Sequence, residues 1–153
     1  LYGEKGEWFL EEYCIPFGKA RVYGQSDQAN FTIVAWGRML LEALKAVEEL
    51  KTKHGILAEV IDPRTLEPFD HQAVLKSFRK TGFLLTVSEA PPVCGFGDHI
   101  VAEVAKNALE YCGGLGSLTG KRTPVPHAPR LEDAYLPNAR KIIEAVLKLW
   151  NVS

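Results

Sequence analysis

Apolar positions along the chain alternate between two spacings. Phe31-Thr-Ile-Val-Ala-Trp36, Ile56–Asp62 and Phe83–Ser88 are short, nearly unbroken apolar runs rich in β-branched residues. Runs of that length and type predict strands buried on both faces of a sheet. Between them the spacing is helical. Leu40, Ala43, Leu44, Val47 and Leu50 recur at three- and four-residue intervals, while Glu42, Lys45, Glu48, Glu49 and Lys51 face away, and His54-Gly55 stops the helix. Asp70 is placed to cap a second helix that turns Ala73, Val74, Ser77 and Phe78 inward and ends at Gly82. Asp98 is placed to cap a third, with Ile100, Val101, Val104, Ala105, Ala108 and Leu109 inward. Leu115–Thr119 predicts a short last strand, and Ile142, Ile143, Val146, Leu149 and Trp150 mark a final helix. Ile15–Tyr23 reads as an edge strand, its start kept irregular by Pro16 and Gly18. Gly24–Asn30 is a turn cluster, Pro63–Pro68 a proline-punctuated loop, and Gly120–Pro137 a long loop with four prolines.

The predicted order is β–β–α–β–α–β–α–β–α. It implies right-handed crossovers and a three-layer α/β domain: a mainly parallel five-stranded sheet, one antiparallel edge strand, and helices on both faces. Residues 1–14 show no period and read as a lead-in or interdomain segment, with the domain over 15–153.

Composition narrows the function classes. A chain of 153 residues is one domain, and 46% apolar with 24% charged residues is ordinary for a globular core. A formal net charge of −1 gives no electrostatic reason to bind nucleic acid or an anionic membrane. The apolar runs fall far short of the 18 or more residues of a membrane span. Cys14, Cys94 and Cys112 are an odd set without a C-x-x-C motif, which disfavours a disulfide scaffold or a zinc site and suggests a reducing compartment. No secretory signal opens the chain, which starts Leu1-Tyr2 and has Met39 as its single methionine, suggesting a piece of a longer protein or a processed one.

Candidate chemistry is sparse. Trp36-Gly37-Arg38, Asp62-Pro63-Arg64 and Ser88-Glu89 all fall at carboxyl ends of predicted parallel strands, the edge where open α/β sheets place ligands. Arg38, Arg64, Glu89 and His127 would form an acid/base site there if they converged. The plainer reading is that they contact another domain or subunit, or simply bound loops. Gly95-Phe-Gly-Asp98 starts a helix, but it is not a dinucleotide fingerprint, and Asp98 would repel phosphate. Ser88, His127 and Asp133 make a triad only on paper, without the G-x-S-x-G elbow. His54, His71, His99 and His127 lack metal-ligand spacing. Thr123-Pro-Val-Pro-His-Ala-Pro129 favours extended backbone suited to packing on a surface, its own or a partner's.

Several stretches resemble a known family. Ile15-Pro-Phe-Gly-Lys-Ala-Arg-Val22, Thr32–Gly37, Glu59-Val-Ile-Asp-Pro-Arg-Thr-Leu-Glu-Pro68, Lys80-Thr-Gly82, Ser88-Glu-Ala-Pro91 and Thr123-Pro-Val-Pro-His127 are similar, in this order and spacing, to the C-terminal domain of the beta subunit of thiamine-dependent 2-oxo acid dehydrogenases. Trp36-Gly37, Ser88–Pro91 and Pro124–His127 look closer to the branched-chain members than to the pyruvate ones, with a pyruvate or acetoin enzyme as the alternative. The chain departs from the family's pattern at His99, Arg122 and Cys112–Ser117. The resemblance implies the transketolase C-terminal fold. It also implies thiamine diphosphate and magnesium held by the rest of the enzyme, between the alpha subunit and the beta subunit's N-terminal domain. This domain would serve assembly with the alpha subunit and a second beta subunit, and docking to the acyltransferase core. No catalytic, cofactor or metal residue is carried over to this chain. Trp8, Phe9, Pro124, Pro126 and His127 are the expected interface residues, and the setting would be the cytoplasm or the mitochondrial matrix. Rival readings are a free-standing flavodoxin-like ligand-binding module, and a small hydrolase using Glu89 or His127.

Overall fold

The computed structural model describes residues 14–126 and 128–151. Trp8, Phe9 and His127 lie outside the described residues. Five strands, β1 (Arg21–Tyr23), β2 (Phe31–Ala35), β3 (Ala58–Asp62), β4 (Phe83–Val87) and β5 (Gly114–Leu118), form one sheet in the order β1-β3-β2-β4-β5. β1 pairs antiparallel with β3, and the other neighbours are parallel. The expected architecture is therefore the observed one.

Helix α1 (Arg38–Glu49) carries the chain from β2 to β3, and α2 (His71–Thr81) carries it back across β2 to β4. The strand order reverses there, so the carboxyl ends of β2 and β4 form the switch point of the fold. α3 (Phe96–Ala108) leads to β5, and α4 (Pro129–Tyr135) precedes α5 (Ala139–Trp150). Each face of the sheet has its own core. Ile33, Val60, Leu85 and Val87 pack with Met39, Ala43, Ala46, Leu50, Ile142 and Val146 of α1 and α5. Val34, Ile61 and Leu84 pack with Val74, Phe78, Ile100 and Val104 of α2 and α3. Strand residues alternate between these two cores because neighbouring side chains leave a strand on opposite faces.

Local signals placed several ends correctly. The Asp70 carboxylate accepts the Ala73 backbone N–H at 3.1 Å, and Gly82 closes α2 at φ 73°. One π-helical turn, Leu50–His54, extends α1 to Gly55 at φ 68°. Four expectations shift. The edge strand shrinks to Arg21–Tyr23, because residues before it bond to the β3–α2 loop instead of the sheet. The buried stripe of α1 is Met39, Ala43, Ala46 and Leu50, while Leu40, Leu44 and Val47 lie half-buried beside it. Small alanines take the centre because α5 packs closely over α1. α3 begins at Phe96 with Gly95 as its cap, so Asp98 sits in the first turn, and Leu109, past the helix end, is exposed. The long proline loop contains α4, which Pro129 opens at the first helical positions, where a missing N–H costs nothing.

At the amino end of the sheet a buried polar chain ties three elements together. The Glu59 carboxylate, 2% exposed, accepts from Ser26 N at 3.1 Å, Ser77 Oγ at 2.7 Å and the Lys80 ammonium. Thr32 Oγ1 continues the chain to Ser77 Oγ at 2.7 Å and Thr81 Oγ1 at 2.8 Å. Burial raises the Glu59 pKa, but these donors outweigh it and hold the carboxyl below its ordinary 4.5.

Candidate interaction face at the carboxyl edge of the sheet

The loops that follow the parallel strands gather at one end of the molecule. Residues 17–20 are pinned there by Gly18 N donating to Thr65 Oγ1 at 3.0 Å and Ala20 N donating to Asp70 Oδ2 at 3.0 Å. An aromatic belt then locks the loops after β2, β3 and β4 to one another. Trp36 meets Phe96 at 6.0 Å, Phe96 meets Phe69 at 5.3 Å, and Phe69 meets His71 at 4.9 Å between ring centroids. Edge-to-face contacts of this kind each contribute about 0.5–1.5 kcal/mol beyond the area they bury. Sequence reading missed the belt, because its members are far apart in the chain; the signal was that each lies one or two residues beyond a strand or beside a helix start.

Large apolar side chains are exposed on this edge. Eight described residues are large, apolar and exposed, and six of them, Ile15, Phe17, Leu66, Val93, Val125 and Leu131, sit on the carboxyl-edge loops and α4. Phe17 is the extreme at 81% exposure. The other two, Leu109 and Tyr111, lie at the opposite end. Scattered apolar residues are normal on a surface; their concentration at one end makes this edge the candidate interaction face. Of the expected interface residues within the described part, Pro124 is exposed and Pro126 is half-buried.

The catalytic candidates do not form a working cluster. Ser88 is 2% exposed, and its hydroxyl finds no partner among the described residues. Asp133 is exposed on α4, and His127 lies outside the described residues. Arg64 adopts φ 60°, and its backbone N donates to Asp62 Oδ1 at 3.0 Å, shaping its own loop. Glu89 is exposed, and Arg38 is exposed at the start of α1. Beyond β5 the chain packs closely under α4: a Cβ on Gly120 would lie 2.9 Å from the Tyr135 ring and 2.6 Å from the Glu89 carbonyl. The Gly95–Asp98 turn is equally committed. Asp98 Oδ1 accepts from Ser117 Oγ at 2.5 Å, tying α3 to β5. That carboxylate stands where a diphosphate would need donors, so the turn does not fit thiamine diphosphate. All three cysteines are free and exposed. Among the described residues no group of His, Cys, Asp and Glu is arranged to hold a metal, and no helix is long and apolar enough to cross a membrane.

Residues 18–142 match the model of the transketolase C-terminal domain. The chain belongs to the transketolase C-terminal domain family. The match spans β1 to the first turn of α5, so it includes the whole sheet and both faces of the switch point. Among curated relatives, the acetoin:2,6-dichlorophenolindophenol oxidoreductase subunit beta of Cupriavidus necator is 42% identical over 149 residues, covering 97% of this chain and 43% of that subunit. The mitochondrial pyruvate dehydrogenase E1 component subunit beta of Saccharomyces cerevisiae is 34% identical over 158 residues, covering 99% of this chain and 42% of that one. Among solved structures, a split-gene transketolase in an inactive beta4 tetramer superposes with a TM-score of 0.76 at 28% identity, covering 94% of this chain and 45% of that one. The chain thus spans less than half the length of these relatives. The family is the one expected from the sequence, and the relatives agree better with the acetoin or pyruvate alternative than with the branched-chain reading.

Proposed function

We propose that this chain is the C-terminal assembly domain of the beta subunit of a pyruvate- or acetoin-type 2-oxo acid dehydrogenase. In such an enzyme thiamine diphosphate and magnesium support oxidative decarboxylation, and both belong to the rest of the assembly. This domain supplies a rigid scaffold that presents the carboxyl-edge face to the alpha subunit, a second beta subunit or the acyltransferase core. A bacterial cytoplasmic or mitochondrial-matrix setting follows from the same reading. The observation that carries it is the concentration of Phe17, Leu66, Val93, Val125 and Leu131 on one end of the domain. Kinship to the beta subunits supports it, and favours it over a flavodoxin-like module or a hydrolase using Glu89.

The test is made in the complete beta subunit co-expressed with its alpha subunit. Phe17→Asp and Leu131→Asp place a charge on the face without touching either core. The expected result is a smaller assembled fraction in sedimentation, lower dehydrogenase activity, and an unchanged far-UV spectrum. Full assembly of both variants would overturn the proposal.

A further inference from the structure

Beside the switch point lies a polar cavity of about 230 Å³, lined by Arg38, Glu42, Asp133, Leu136, Pro137 and Asn138. It sits between the start of α1, the end of α4 and the start of α5. Its size is below the ~300–1,000 Å³ of pockets for drug-sized ligands, so only a small molecule suits it.

The charges around it are unequally used. Both oxygens of Glu42 are engaged, one by Lys45 Nζ at 2.9 Å and the other by the Ala139 backbone N–H at 3.0 Å. Arg38 pulls electrostatically on Glu42 but makes no hydrogen bond or ion pair with any described residue. Burial lowers the Lys141 pKa and Asp133 opposes this electrostatically, yet the Asp133 carboxylate also makes no ion pair among the described residues, because Lys141 donates to the backbone carbonyls of Asp133, Ala134 and Leu136. Arg38 and Asp133 line one cavity and do not reach each other. Asn138 Oδ1 accepts the Lys141 N–H at 3.0 Å, which leaves its amide NH₂ as a donor. Leu136 and Pro137 supply an apolar wall.

We propose that this cavity binds a small aliphatic α-amino acid as its zwitterion. The Arg38 guanidinium, with the Asn138 amide, takes the carboxylate. The Asp133 carboxylate takes the ammonium, and the Leu136–Pro137 wall takes the side chain. A ligand carrying both charges a few bonds apart spans the gap that keeps Arg38 and Asp133 from pairing. A plain carboxylate would leave Asp133 without a hydrogen-bonded partner, and an amine would leave Arg38 without one. Charge-assisted hydrogen bonds at both ends give the selectivity.

Isothermal titration calorimetry on the 153-residue chain tests this with three probes: L-valine, isovalerate, which lacks the ammonium, and isobutylamine, which lacks the carboxylate. Saturable L-valine binding is expected, with each single-charge probe weaker by at least about 10-fold. Arg38→Gln should lose L-valine by a similar factor, and Asp133→Asn should weaken L-valine while leaving isovalerate unchanged. Both positions are exposed, and the probe series on the unsubstituted chain does not depend on how either variant folds. Isovalerate binding as tightly as L-valine would mean a simple anion site and overturn the proposal. Absence of saturable heat from L-valine in the millimolar range would overturn it as well.

Discussion

Removing the Glu59 carboxylate should be among the most damaging single changes outside the apolar cores. Glu59→Ala leaves three donors behind. Ser77 Oγ keeps Thr32 Oγ1 at 2.7 Å, and Lys80, whose side chain is 30% exposed, keeps the Ser26 carbonyl at 2.8 Å and can reach water. Ser26 N keeps no such substitute, and the vacated volume sits beneath α2. Breaking a buried charge pair costs ~3–5 kcal/mol, and Lys80's access to solvent places this case at the low end, about 3 kcal/mol. With a urea dependence of ~2 kcal/mol per molar, the unfolding midpoint should fall by about 1.5 M. Adding Lys80→Met to Glu59→Ala should recover part of that loss, because one source of unpaired charge disappears. A midpoint shift below about 0.3 M for Glu59→Ala, which is ~0.6 kcal/mol at the same dependence, would refute the view that this carboxylate holds the turn, β3 and α2 together. The network also sets a pH signature. Burial raises the Glu59 pKa, while the bonds from Lys80, Ser77 and Ser26 lower it further, for a net position below 4.5. Its contribution is therefore complete above the ordinary carboxylate range and is lost as pH falls through the depressed folded value.

Other consequences are as direct. Gly97→Ala should destabilise by ~1–3 kcal/mol in denaturant melts, because the new Cβ would stand 2.8 Å from Thr86 Oγ1, a buried atom on a strand that cannot retreat. Leu50→Ala should cost ~2–5 kcal/mol and the half-buried Leu44→Ala clearly less; equal costs would contradict the stripe through Met39, Ala43, Ala46 and Leu50. Lys141→Met should speed amide hydrogen exchange over residues 129–136 by more than about 10-fold while α5 stays protected, since the ammonium holds the last carbonyls of α4.

Sequence patterns carried the architecture because the sheet is buried on both faces. Runs such as Phe31–Ala35 and Phe83–Val87 have no polar side to confuse their reading, and caps such as Asp70 and Gly82 act locally. Legibility faded where distant residues decide the outcome. The shift of the α1 stripe toward Ala43 and Ala46 depends on how closely α5 approaches. α4 is a seven-residue helix held at its end by a lysine on the next helix, which no local period can announce. The candidate face was only partly visible. Proline spacing pointed to the loop after β5, but Phe17, Leu66 and Val93 join Val125 and Leu131 through topology that brings the loops after the parallel strands, and the residues before antiparallel β1, to one end.

The central claim is that the carboxyl edge is covered in the assembled enzyme. Hydroxyl-radical footprinting of the isolated chain and of the complete beta subunit assembled with its alpha subunit measures this side chain by side chain. The account predicts strong protection on assembly at Phe17, Leu66, Val93 and Leu131, with little change at Leu109 and Tyr111 on the opposite end. Equal labelling of Phe17 and Leu131 in both states, or protection confined to Leu109 and Tyr111, would contradict it.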